Sequence, residues 1–316
     1  MKHMMLWVIV GSTLFAASAR AQDTQATQPG VESGSASPSS LATSASESAP
    51  DGANNITNQS NNPLTPKRQL ILQNYFMPTP QGDGSRSADQ ELLRLYLPFR
   101  IFGVNNITRV YQPITTDPLS PTGRDAGFGD TTIYDLALHK IKKFTVGAGP
   151  LLVLPVASHT NLGDGKWQAG AAAIAVTTRS WGLLGTVVTY QHSFSGYNGS
   201  RPAAELVTVQ PLIHYNLSNG YYLRSSGFWN LNFDAPNVSY IPVGFGAGKV
   251  MKLQSGTIMN FYIEPQYVVY QNGNGAPKWQ ILTAVTYERR SKNRPQHAAG
   301  AGCCGGVKVV RRILVS

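Results

Sequence analysis

The sequence predicts an all-β chain, an antiparallel transmembrane β-barrel of about 12 strands behind a signal peptide and a disordered linker. Three observations carry this. Beyond the leader, no apolar run reaches the roughly 18 residues that mark a membrane helix. Between residues 67 and 288, segments of about ten residues alternate in polarity instead, near the length of a tilted membrane strand. Only 13% of residues are charged and mean hydropathy is −0.16, too low for a helical bundle, while 31 glycines and 14 tyrosines suit strands and turns.

The N-terminus reads as a leader. Met1-Lys2-His3 is a short positive start, residues 4–17 are an apolar core, and Ala19-Arg20-Ala21 is a small-x-small cleavage site. Residues 1–21 are therefore a predicted signal peptide, and the apolar stretch is too short for a typical spanning helix. Residues 22–66 are rich in Ser, Ala, Thr, Asn, Gln and Pro and show no apolar periodicity. Such a segment cannot bury enough surface to offset its ordering entropy, so it is predicted to be disordered.

The barrel is assigned to residues 67–288. Expected strands cover 68–76, 89–102, 105–114, 128–141, 143–155, 167–179, 182–194, 205–217, 220–233, 239–252, 256–271 and 278–288. In 206–217, Val207, Val209, Pro211, Ile213, Tyr215 and Leu217 form one face, against Thr208, Gln210, Leu212, His214 and Asn216 on the other. In 257–269, Met259, Phe261, Ile263, Pro265, Tyr267 and Val269 oppose Asn260, Tyr262, Glu264 and Gln266. Aromatics near strand ends, among them Tyr221-Tyr222, Phe228-Trp229, Tyr240, Tyr270, Trp279 and Tyr287, suggest membrane girdles. Lys142-Lys143, Ser180-Trp181, Ser218-Asn219-Gly220 and Gln254-Ser255-Gly256 read as tight turns at one end, with longer loops at the other.

Residues 289–316 are an atypical, basic, low-complexity tail. Its seven cations, with Lys2 and Arg20, account for most of the formal charge of +10; between Ala21 and Tyr287 there are 17 Lys/Arg against 15 Asp/Glu. A near-neutral body without a basic aromatic face argues against nucleic-acid binding. Cys303 and Cys304 are adjacent, a poor geometry for a mutual disulfide and too few ligands for a structural zinc site.

Several motifs occur in order: Gly127-Phe128-Gly129-Asp130; Gly147-Ala148-Gly149-Pro150 with Pro155; Leu162-Gly163-Asp164-Gly165-Lys166-Trp167-Gln168-Ala169-Gly170; Gln210-Pro211; Pro242-Val243-Gly244-Phe245-Gly246-Ala247-Gly248-Lys249; and Asn260 with Pro265 and Tyr267. In these the body, about residues 88–287, resembles the meta-pathway phenol degradation (MetA-pathway) family of outer-membrane β-barrel transporter-like proteins. The resemblance implies a bacterial outer-membrane barrel in contact with lipid, passing hydrophobic or aromatic small molecules. It carries over no catalytic residues.

Polar inner-face residues set selectivity in such a barrel. The pore-lining candidates are Asp135, His139, Gln210, His214, Arg224, Glu264 and Gln266, with Arg224 and Glu264 able to pair across the lumen. The bland alternative is that they only fill a polar interior. Two other readings stand beside the channel. One is an outer-membrane lipid hydrolase using His192 and Ser195, which needs an orienting partner and an oxyanion site. The other is a structural or adhesive barrel. His139, His192 and His214 lack metal-ligand spacing. Gly244-x-Gly246-x-Gly248 lacks the helix of a dinucleotide fingerprint, so its glycines are expected to ease strand curvature or leave room for a neighbouring side chain. No cofactor or metal is expected, and the chain is read as a non-enzyme.

Overall fold

A computed structural model describes residues 50–78, 87–117, 125–196, 203–233, 239–273 and 276–289. The predicted signal peptide, residues 22–49 of the predicted linker, and residues 290–316 of the tail with both cysteines lie outside these. One helix, α1 (Pro50–Asn61), precedes fifteen strands: β1 (Arg68–Met77), β2 (Ala88–Ile101), β3 (Val104–Asp117), β4 (Asp125–Phe128), β5 (Thr131–Ile141), β6 (Phe144–Leu154), β7 (Lys166–Arg179) and β8 (Gly182–Gly196). These are followed by β9 (Glu205–Asn216), β10 (Tyr221–Ser225), β11 (Trp229–Asn232), β12 (Ser239–Gly244), β13 (Gly246–Lys252), β14 (Ile258–Asn272) and β15 (Trp279–Arg289).

Three pairs of strands are single spans interrupted by a few residues. β4 and β5 both lie along β3, β10 and β11 both lie along β9, and β12 and β13 both lie along β14. The wall is therefore a 12-span antiparallel barrel. It closes where β1 pairs with β15, from Arg68 opposite Arg289 to Phe76 opposite Ile281. Closure removes both sheet edges, so every span has two neighbours.

Tight connections cluster at one end. Phe102-Gly103 has positive φ at both residues, the twist a two-residue hairpin requires. Lys142 and Asn219 take the left-handed conformation in two further turns, and Gly256 serves the turn before β14. Both ends of the wall, Arg68 and Arg289, lie at this turn end. The longer connections lie at the opposite, loop end. There residues 155–165 fold back on the start of β5: Asp130 accepts the backbone N–H groups of Ala157 and Asp164 at 3.2 and 2.7 Å. Asp130 thus holds a loop, and the two glycine motifs that precede β5 and β7 pack on each other.

The outer face is apolar. Leu72, Ile213, Ile263, Val269 and Val285 point outward and are exposed. Aromatics ring both ends: Phe102, Phe144, Trp181, Tyr215, Tyr221 and Tyr287 at the turns, and Phe128, Trp167, Phe194, Phe233, Tyr270 and Trp279 at the loops. Trp181 stacks on Tyr215, and Tyr267 meets Trp279 edge-on. Three aromatics assigned to girdles from the sequence face inward instead. Tyr222 is wholly buried, and Phe228 and Tyr240 line a cavity.

Gly244, Gly246 and Gly248 stand on the inner face between β10 and β14. A Cβ at Gly248 would lie 2.4 Å from the Tyr222 ring, and one at Gly246 would lie 2.2 Å from the Ile263 carbonyl oxygen. Their bare backbone is what lets side chains from the flanking strands meet over them. Gly246→Val is expected to lower stability by about 1–3 kcal/mol through overpacking, while Ala247→Val, facing outward, is near neutral. Urea unfolding of the refolded protein in detergent micelles, followed by tryptophan fluorescence, measures both.

Candidate functional site

The inward faces of the spans define the site. Gln210 and His214 on β9, Arg224 on β10, and Glu264 and Gln266 on β14 are all buried and face the lumen. Asp135 and His139 do not. On β5 the inward positions belong to Tyr134 and Leu136, both buried, so strand alternation turns Asp135 and His139 outward. Asp135 accepts a hydrogen bond from Thr108 Oγ1 at 3.0 Å on the outer wall, and His139 is exposed near the Lys142 turn.

The reason is a two-sided interior, which the polar-inside rule for membrane barrels does not anticipate. On β3 and β5–β9, Ile107, Leu136, Leu151, Ile174, Leu183 and Leu212 pack as an apolar cluster inside the barrel. The polar half is built from β1, β9, β10 and β14. There, polarity and inward direction coincide, which is why the sequence pattern finds the candidates on β9 and β14.

Arg224 and Glu264 are paired, but along one wall and not across the lumen, since only β13 separates β10 from β14. Arg224 Nε donates to Glu264 Oε2 at 2.8 Å, directly over Gly246. Glu264 also accepts the backbone N–H of Ser226 (2.9 Å), Ser226 Oγ (3.2 Å) and Gln266 Nε2 (2.9 Å). Four bonds fill the acceptor capacity of a carboxylate. This network also explains the break between β10 and β11. Ser226 turns its N–H to the carboxylate instead of to a ladder neighbour.

Two more arginines lie inside, neither foreseen from the sequence. Arg109 donates from Nη1 to Tyr134 Oη at 3.2 Å and from Nη2 to the Pro63 carbonyl at 2.7 Å, and it stacks over Tyr96. Arg94 lies between the rings of Tyr111 and Phe228, 4.3 and 4.7 Å from their centroids. It has no ion pair among the described residues, and its Nε and Nη2 lack hydrogen-bond partners. His214 likewise has neither ring nitrogen bonded.

Residues 50–66, assigned from the sequence to the disordered linker, are ordered inside the barrel at its turn end. α1 has few apolar residues because its partners are polar. Asn58 Nδ2 donates to the Arg179 carbonyl at 2.8 Å, Asn216 Nδ2 to Asn58 Oδ1 at 2.9 Å, and Asn260 Nδ2 to Asn61 Oδ1 at 2.9 Å. Gln69 Nε2 donates to the Ser60 carbonyl and to Glu288, and Lys67 pairs with Glu288 at 2.5 Å. Among the described side chains of this segment, Leu64 and Ile56 alone join apolar clusters. The sequence test for order looks for an apolar stripe, and this helix needs none.

Two spaces remain above the helix. A chamber of about 60 Å³ lies among Arg109, His214, Arg224 and Tyr262. Toward the loop end a larger cavity of about 410 Å³ lies among Tyr75, Leu92, Tyr134, Val187, Phe228 and Tyr240. Arg94 borders both.

His192 does not form a catalytic pair with Ser195. It is exposed on the outer wall, where Ala169 and Glu205 are its ladder neighbours, and the neighbouring Glu205 takes a bond from Tyr190. A register shift opposite Trp167-Gln168 separates it from Ser195. His139 and His192 face outward and His214 inward, so the three histidines do not converge.

No protein-family model matches the chain, and neither does any curated protein. Among solved structures, the chain is similar to the crystal structure of an outer membrane channel from Pseudomonas putida F1. The TM-score is 0.53 at 14% identity, over 70% of this chain and 93% of that one. At that identity the likeness is one of fold. The family resemblance seen in the sequence rests on its motifs.

Breaking the Arg224–Glu264 pair leaves a buried charge without its partner. Glu264→Ala is expected to lower stability by about 3–5 kcal/mol, and adding Arg224→Met to recover much of that loss. Urea titrations of the single and double variants measure the coupling.

Proposed function

We propose that the chain is a bacterial outer-membrane channel, exported through its predicted signal peptide, that admits small hydrophobic or aromatic molecules. The observation that carries this is the lumen. It holds a cavity of about 410 Å³ toward the loop end and a separate helix across the turn end. Ligand cavities of this size accommodate small organic molecules. The apolar outer band and the two aromatic rings support a membrane setting, and barrels of this kind place short turns on the periplasmic side. The helix then occludes the periplasmic mouth. The MetA-pathway motifs and the structural likeness to an outer membrane channel both support this reading.

The mechanism is diffusion through a lumen gated by α1. The helix is held by single hydrogen bonds from asparagine and glutamine side chains, each contributing about 0.5–1.5 kcal/mol net and each replaceable by water. It is joined to the wall only through residues 62–67, which lead into β1, and it has little apolar burial, so it can leave the mouth without unfolding the barrel. Gln210, His214, Arg224, Glu264 and Gln266 are the proposed filter on the path it exposes.

Liposomes containing the refolded protein test this. Deleting Pro50–Asn61 is expected to raise the flux of small aromatic solutes several-fold, with the barrel still migrating as a folded, heat-modifiable species on gels. Vesicles that stay sealed to solute with and without the helix would rule the channel out.

A further inference from the structure

Of the three arginines buried among the described residues, Arg94 has no hydrogen-bonding partner there. Glu264 answers Arg224 and has no acceptor site to spare. Arg109 is answered by Tyr134 and by the Pro63 carbonyl, which leaves only its Nε unbonded. Arg94 is 3% exposed, lies against the Tyr111 and Phe228 rings, and has Nε and Nη2 unbonded. Tyr75 is 6% exposed, faces the same cavity, and its hydroxyl is also unbonded. A buried guanidinium with ring contacts but no ion pair is an expensive arrangement, because an uncompensated charge in a low-dielectric interior costs several kcal/mol. Such a group awaits an anion.

We infer that the 410 Å³ cavity is a binding site for an organic monocarboxylate with an apolar, aromatic-sized body, its carboxylate received by Arg94 and Tyr75. The inference rests on the channel reading and names its solute class. Nε and Nη2 form one edge of the guanidinium fork, which takes both oxygens of a carboxylate. A rotamer change that slides Arg94 from between Tyr111 and Phe228 turns that edge into the cavity it already borders. Tyr75 Oη donates to the same carboxylate. Leu92, Leu151, Val187, Leu206 and Phe228 offer the body apolar wall. A single fork and a single hydroxyl suit a carboxylate better than a phosphate dianion, whose further oxygens would stay unpaired. The small chamber beneath is lined by Arg94, Arg109 and Arg224, with Glu264 paired to Arg224. The carboxylates that border the cavity itself, Asp130 and Asp164, belong to the loop end, where Asp130 is occupied by backbone N–H groups, so the carboxylate is received at the Arg94 end.

Calorimetry on the full-length protein refolded in detergent micelles, with 4-phenylbutyrate and its neutral amide as probes, tests the site without requiring transport. The acid is expected to bind about tenfold or more tighter than the amide, the scale of one charge-assisted hydrogen bond. Arg94→Met should erase that preference and Arg94→Lys retain part of it. Tyr75→Phe should weaken acid binding alone, and His139→Ala on the outer wall should change nothing. Heat-modifiability on gels checks that each variant is folded. Equal binding of acid and amide, or an undiminished preference in Arg94→Met, overturns the site. Selective binding by a barrel that passes no solute in liposomes leaves the site standing and removes the channel. Flux of both probes without acid preference does the reverse.

Discussion

A closed antiparallel wall satisfies its own backbone, but it gives inward polar side chains nowhere to go except the lumen. Every feature of this interior follows from that constraint. Glu264 is the clearest case. Wholly buried, it collects four hydrogen bonds, and obtaining them reshapes the wall: Gly246 loses its side chain so that Arg224 can cross, and Ser226 leaves the ladder to donate its N–H. The interruption between β10 and β11 is thus a consequence of one carboxylate. Tyr222 over Gly248, donating to Asn260, repeats the same solution one layer nearer the turns.

The same constraint accounts for the helix at the turn end. Asn216, Asn260, Gln69 and the Arg179 carbonyl all need partners, and α1 supplies them with asparagines and its own carbonyls. A helix in a soluble core is held by an apolar stripe whose burial is hard to reverse. This one is held by bonds that water can replace, so occlusion and release differ little in the number of satisfied groups. Arg109 extends the link by binding Pro63, which couples the helix segment to the tyrosine cluster behind it.

Much of the wall was legible because it depends on period and turn chemistry. The twelve expected segments correspond to the observed spans, and the outward faces of β9 and β14 are the ones their alternation predicts. The interior was legible only where it is polar. On β5 the alternation places Leu136 and Tyr134 opposite Asp135, and only the apolar cluster inside the barrel decides which set turns inward. Arg94 and Arg109 were missed although a signal exists: Leu93, Leu95 and Leu97 share the outer face of β2, which leaves Arg94 no direction but inward. Residues 50–61 were missed for a deeper reason. Disorder is inferred from the lack of apolar surface, and that inference fails when the binding partner is a polar lumen.

The division of the interior into an apolar half and a polar half has a consequence for what can occupy it. A purely polar solute would leave the leucine and valine wall facing water-like groups, and a purely apolar one would leave His214, Arg94 and Tyr75 without the bonds they lack. Neither removes both mismatches. An amphipathic solute does, laying its body on β5–β8 and its head toward β1 and β2. The lumen therefore constrains orientation as well as composition. In the proposed channel, a solute entering from the loop end meets Arg94 before it meets Arg109, because Arg94 borders both spaces and Arg109 only the lower one. Under that proposal, passage from the larger space to the smaller transfers the head from an arginine without a hydrogen-bonding partner to one held in part by the helix segment itself. The competitor for Arg109 is the Pro63 carbonyl, so the group that draws the solute down is also a group that holds the occluding segment in place.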